Sequence, residues 1–195
     1  MPVIFDEEKR INIRISLLKN GFKLIKKYGM KKTSIEEIAK SCGIAKGTFY
    51  NFFSSKEEFV SEIIQNKRNE SKEHFRSLLD KNGYMERKEV RQYLEHMVDP
   101  ENNLYLYLTA EDLAVLGARF PKGIIPKDED VMTTTTLLLD CIKERSPSCD
   151  WRVLANYIKI MALVSLNKDK VIKEALSVNL SGILDLTMEE IYGKD

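Results

Sequence analysis

The chain has 195 residues, 43% hydrophobic and 31% charged, enough for one sizeable core or two modest ones, and its net charge of +1 excludes nothing by itself. The distribution says more: residues 1–60 hold 12 Lys+Arg against 7 Asp+Glu, and the remainder 19 against 23, so a basic part precedes an acidic one, as in a DNA-binding head on a body that binds something else. A membrane span is excluded, since no apolar run reaches about 20 residues, and three cysteines without a CxxC (Cys42, Cys141, Cys149) fit a reduced cytoplasm better than a disulfide framework, with a redox pair of Cys141 and Cys149 as the alternative to buried or incidental thiols.

Taken in chain order, the first ten residues are charged and lack the apolar segment of a signal peptide. Ile11, Ile15, Leu18, Phe22 and Ile25 then recur at helical spacing and predict a helix stopped by Gly29. Thr33 or Ser34 can cap the next helix, with Glu36 or Glu37 three residues on for a capping box. Ile35 and Ile38 give that helix an apolar edge. Ala39 is small where two helices must cross, and Gly43 can take the left-handed conformation that a sharp turn requires. Ile44 plugs the turn, and Phe49 and Phe52 are spaced to point inward from a second short helix.

Two short helices across such a turn form a helix-turn-helix, whose second helix enters the major groove. Its outward face offers Lys46, Gly47, Thr48, Tyr50 and Asn51. Lys46 suits guanine acceptors or phosphate, Thr48 a base edge, a thymine methyl or phosphate, and Gly47 lets the backbone come close. The polar tips of Tyr50 and Asn51 suit phosphate, as do Lys56 and the start of the helix that it opens. With Thr33 and Ser34 at the entry to the motif, these are the candidate DNA-binding residues.

The segment resembles the TetR family of transcriptional regulators. The resemblance rests on Thr33-Ser34-Ile35, Ile38-Ala39, Gly43-Ile44, Lys46-Gly47-Thr48-Phe49-Tyr50, Phe53 and Ser55-Lys56-Glu57-Glu58-Phe59, together with Ile15, Leu18, Phe22 and Ile25 ahead of Gly29. It covers the N-terminal third. Gly21 replaces the family's usual alanine, and Ile25, Met30 and Cys42 are further mild departures. The implied fold is all-α, with a three-helix DNA-binding head over residues 1–55 and a helical effector-binding and dimerisation domain over residues 56–195. The implied function is a ligand-responsive repressor.

Beyond the motif, a helix is expected from about Lys56 to about Asp80, ended by Lys81-Asn82-Gly83. Another is expected from about Glu86 to Val98, and a further one from beyond Pro100 to about Arg119. A loop over Phe120–Pro126 precedes a helix that opens on Asp128-Glu129-Asp130 and ends near Ser146-Pro147. Asp150 and Asp169 read as caps of the last two helices. Trp151 to Leu166 is apolar on nearly all sides, so it must be covered all round. In a domain this small, that predicts one face on its own core and another on a second subunit, giving a homodimer through the last two helices of each chain. Ser177, Ser181 and Gly182 allow close helix contact. Two heads would then read a pseudo-palindromic double-stranded DNA operator. Tyr93, Met97, Tyr105, Phe120, Met132, Tyr157 and Met161 are candidates for an effector pocket, which the resemblance implies and which apolar residues with polar tips suit.

Catalysis finds no support. His74 and His96 have no ligand partners at metal spacing, and no P-loop, GxGxxG or serine-nucleophile motif occurs. No metal or cofactor is expected. The competing class is a helical protein-interaction adaptor that keeps the fold without specific DNA binding, and the polar face from Lys46 to Asn51 argues against it.

Overall fold

The structure, a computed structural model, describes residues 3–99, 101–102, 104–120, 128–167 and 169–193. In chain order it holds α1 (Val3–Tyr28), α2 (Ile35–Ser41), α3 (Lys46–Phe49), α4 (Lys56–Ser77), α5 (Arg87–Val98), the 3-10 turn η1 (Leu104–Tyr107), α6 (Ala110–Arg119), α7 (Asp128–Asp140), α8 (Trp151–Leu166) and α9 (Lys173–Tyr192). No strand occurs among the described residues; an isolated parallel bridge pairs Met85 with Ile142. The chain is all-α. It divides into two compact units, Met1–Lys67 with Tyr107–Ile125, and Arg68–Leu106 with Pro126–Asp195, so the division falls within α4. The loop expected over Phe120–Pro126 lies, past Phe120, outside the described residues.

In the first unit, α1 buries Leu17, Leu18, Phe22 and Ile25, and Gly29 ends it at φ 81°. Ile11 and Ile15, expected on the inward stripe, are 54% and 56% exposed. One helical turn before Leu18, the inward face is held by half-buried Arg14, and position 15 has rotated past it. Phe49, Phe53 and Phe59 form an aromatic triangle with ring centroids 4.9–5.3 Å apart, all fully buried. Phe52 was expected in this core; Phe53 takes the place. Because α3 ends at Phe49, the helical spacing stops there, and a turn in which the amides of Phe52 and Phe53 both donate to the Phe49 carbonyl carries Phe53 inward.

Gly21 is explained by the same triangle. A Cβ at this position would fall 2.2 Å from Cζ of Phe59, so the ring occupies the space that an alanine methyl would need.

A continuous helix leading up to Arg119 is not observed. The chain forms η1 and then restarts as α6, because Thr109 caps it: the Thr109 hydroxyl accepts from the Asp112 amide at 3.1 Å, and the Asp112 carboxylate accepts from the Thr109 amide at 2.9 Å.

In the second unit, Met85, Val90, Leu94, Leu154, Leu184 and Ile191 are core residues with 0–4% exposure. Three helix ends differ from expectation. First, α4 stops at Ser77, and Asp80 organises the following turn by accepting from the amides of Asn82 (2.8 Å) and Tyr84 (2.9 Å), with Gly83 at φ 83°. Second, α7 stops at Asp140 rather than near Ser146. The next residues pair with Met85 instead: the Met85 amide donates to the Cys141 carbonyl (2.7 Å), and the Lys143 amide to the Met85 carbonyl (3.2 Å). Third, Asp169 does not cap α9, which begins after Ile172 without a side-chain cap. Asp150 does cap α8, accepting from the Arg152 amide at 2.9 Å, and hydrogen bonds from Arg152 hold its carboxyl down at about 2.

Within its own chain α8 is not covered all round. Leu154 and Met161 are buried, but Leu163 is 58% exposed, as are Val178 (71%) and Leu186 (46%) on α9.

Candidate nucleic-acid interface

The entry to the motif folds as its residue types dictate. Ser34 is the N-cap of α2: its hydroxyl accepts from the Glu37 amide at 3.1 Å, and the Glu37 carboxylate accepts from the Ser34 amide at 2.8 Å. That backbone donor, followed by the Ser34 hydroxyl, lowers the Glu37 carboxyl below its ordinary range. Thr33, a candidate contact, is buried, and its hydroxyl donates to the Gly29 carbonyl at 2.8 Å. Its side chain therefore closes the α1–α2 turn and is not displayed. Ser34 remains exposed.

The turn to α3 is closed by the Ile44 amide donating to the Ala39 carbonyl at 3.1 Å, with Gly43 at φ 69° and Ala39 buried. Ile44 itself is half-buried. α3 is only four residues long and cannot be stable alone; Phe49 anchors it from beneath. Lys46, Gly47, Tyr50 and Asn51 are exposed and Thr48 half-buried. A Cβ at Gly47 would meet nothing within 4 Å, so the missing side chain leaves open surface there. Tyr50 keeps its ring edge-on to Phe49, at 5.7 Å, while staying 48% exposed. The structure thus brings Lys46, Gly47, Thr48, Tyr50 and Asn51 together on one short segment.

Lys56 opens α4 but is half-buried. Its ammonium lies 3.5 Å from the Lys31 carbonyl, and burial lowers its pKa against the pull of Glu57, Asp112 and Glu37. Three basic residues beside the motif went unmarked in the sequence reading. Lys31 is exposed and ion-paired with Glu111 at 3.7 Å. Arg10 and Arg14, one turn apart on α1, donate to the carbonyls of Asn51 and Phe52, each at 3.1 Å. Their i, i+4 spacing was the available signal.

The effector candidates are divided between the two units. Tyr93 and Met97 belong to the packed core of the second unit, Tyr93 edge-on to Phe75 at 4.9 Å. Met161 is buried, Tyr157 half-buried and Met132 45% exposed. Phe120 belongs to the first unit, and the side chain of Tyr105 lies outside the described residues. His74 and His96 do meet, stacked with centroids 4.2 Å apart, which their sequence separation hid. Among the described residues, no group of three or more His, Cys, Asp or Glu could hold a metal ion, and no helix is long and apolar enough to cross a membrane.

Comparison with known proteins converges on the same segment. Residues 17–63 match the family described as bacterial regulatory proteins, tetR family. The HTH-type transcriptional regulator YvdT of Bacillus subtilis (strain 168) is 40% identical over 50 residues, 26% of this chain and 26% of that protein. The chain spans about a quarter or less of the length of the curated relatives it matches. The fold likeness is much longer. The fatty acid degradation regulator FadR from Bacillus halodurans superposes with TM-score 0.61 at 18% identity, over 90% of this chain and 94% of that one. A TetR-like transcriptional regulator from Rhodococcus sp. RHA1 gives 0.59 at 19% identity, over 91% and 92%. The head, over residues 17–63, is thus similar in sequence to the tetR family of bacterial regulatory proteins, and the all-helical fold is matched along most of the chain.

Proposed function

We propose that this protein is a sequence-specific DNA-binding transcriptional repressor that acts as a homodimer and is released by a small-molecule effector. The observation that carries the reading is the split of one short segment. Phe49 and Phe53 are fully buried, while Lys46, Tyr50 and Asn51 stand exposed on the same turn, with Thr48 half-exposed beside them. Apolar anchors fix the backbone, and the polar tips are free to meet base edges and phosphates. Residues 1–55 carry DNA binding in this reading, and residues 56–195 carry effector binding and dimerisation.

Dimerisation is supported by Leu163, Val178 and Leu186, large apolar side chains left exposed on α8 and α9, beside exposed Ser177, Ser181 and Gly182. Two heads related by a two-fold axis read half-sites about one helical turn, roughly 34 Å, apart. An effector that favours one arrangement of the dimer shifts its affinity for DNA by its differential affinity for the two states. The protein acts in the cytoplasm, where its operator lies.

Selection of bound duplexes from genomic DNA by the purified protein, at two salt concentrations, tests the reading. One inverted repeat, bound less tightly as salt rises, is the expected result. Lys46→Ala and Thr48→Ala should each weaken its recognition by ~1–3 kcal/mol. Recovery of no duplex at either salt concentration contradicts DNA binding and favours the adaptor.

A further inference from the structure

We infer that Arg14 is a positioning residue for DNA recognition: it fixes the end of the recognition segment to α4 without touching DNA. The inference rests on the DNA-binding reading above and adds a residue to it.

The guanidinium of Arg14 is used on every side. Nε donates to Oε1 of Glu62 at 2.8 Å, and Nη2 donates to Oε2 of the same carboxylate, a two-point fork. Nη1 donates to the Phe52 carbonyl at 3.1 Å. The plane lies over the Phe53 ring, 4.7 Å from its centroid. One residue therefore joins α1, the chain just after α3, and α4, and the side chains of the two charged partners are 39% and 26% exposed.

The Phe52 carbonyl is the informative partner. α3 is four residues long, and its last helical residue is Phe49, so the carbonyls that follow have left the helical ladder. Asn51 and Phe52 turn theirs to Arg10 and Arg14. Arg10 is exposed and lies over the Phe52 ring at 5.5 Å, whereas Arg14 is also locked to Glu62. A helix this short takes its direction from its anchors. On one side the anchor is the buried Phe49, and on the other it is the carbonyl that Arg14 holds. The direction of α3 sets where Lys46 and Thr48 point, so releasing the carbonyl misdirects base-reading groups while leaving the basic surface in place.

Arg14→Met keeps the length and packing of the side chain but leaves the Glu62 carboxylate without its fork. Arg14→Met/Glu62→Met removes both charges together and guards against a variant that fails to fold for that reason alone. Each is compared with wild type by anisotropy on the selected inverted repeat and on a scrambled duplex, below the melting temperature of each protein. The expected result is a tenfold or greater loss of the specific-to-scrambled affinity ratio in both variants. Affinity for the scrambled duplex and its salt slope should change less than twofold, because no phosphate contact is lost. Arg14→Lys, which keeps a charge for Glu62 but not the fork and the third bond together, should lose part of the ratio. A merely structural residue lowers the melting temperature and leaves the ratio unchanged, and that result overturns the inference while DNA binding stands. A wild type that selects no duplex overturns both.

Discussion

The two units place their apolar residues differently. In the first, three phenylalanines close on one another with essentially no exposure, and the four-residue α3 is anchored by one of them, Phe49. In the second, α8 leaves Leu163 in the open, and its neighbour in sequence, α9, leaves Val178 and Leu186. The first unit also exposes Ile11 and Ile15, so what sets it apart is its closed aromatic core; the open side chains of the second lie on the two helices proposed to meet a second subunit. On the proposed reading, the head holds its DNA-facing segment with its own core, and the open side chains of α8 and α9 take a second subunit.

The sharpest way to break this contrast is at the aromatic triangle. Phe53→Ala should cost ~3–5 kcal/mol, because the cavity is lined by rings that cannot close around it. Denaturant unfolding followed through the head should show a fall of that size, and a loss under about 1 kcal/mol would mean that the triangle is not the keystone. Next in size is the body's open face. Leu163→Lys with Val178→Lys should convert a dimer into a monomer in sedimentation at micromolar concentration, with little change in helix content, since each buried aliphatic side chain contributes roughly 1.5–3 kcal/mol to an interface. An unchanged mass would place the dimer contact elsewhere.

Gly21→Ala sharpens the comparison from the head's side. Alanine favours the helix by about 1 kcal/mol, but its methyl would overlap the Phe59 ring, with overpacking costs of ~1–3 kcal/mol. A net loss of stability is expected, and a gain would show that the ring yields easily. The smallest effect concerns acid. The Asp150 carboxyl is held below its ordinary 3.8, at about 2, by Arg152. A depressed folded-state value means that the cap stabilises α8 above pH about 4 and loses this contribution as pH falls toward 2. Asp150→Asn, which keeps a capping oxygen without the charge, should flatten the acid limb of the stability curve over that window. An acid limb identical to wild type would contradict the assignment.

How much was legible follows the same division. In the head, local chemistry and tertiary structure agree: Ser34 with Glu37, Gly43 at positive φ and the spacing to Phe49 all do what their residue types favour. The misses there came where helical periodicity was extended past a break, as with Phe52 against Phe53, or was begun one position off, as with Ile15 against Arg14. Thr33 was misplaced because a small polar residue can cap, display or bury its hydroxyl, and only the fold decides. In the body, helix ends were set by partners far along the chain. Met85 ends the hydrogen-bonding run after α7 from more than fifty positions away, a pairing that no local signal announces. Thr109-x-x-Asp112, by contrast, was a readable capping box that the expectation of one long helix passed over.

The central claim is that the exposed side of the Lys46–Asn51 segment reads DNA. The most direct test is fluorescence anisotropy of the purified protein on its selected inverted repeat and on a scrambled duplex of equal length, for wild type and Lys46→Ala. The account predicts at least a hundredfold preference for the repeat in the wild type, with log affinity falling linearly in log salt, and a tenfold or greater loss of that preference in the variant. Equal affinity of the wild type for both duplexes, or an unchanged preference in the variant, would contradict it.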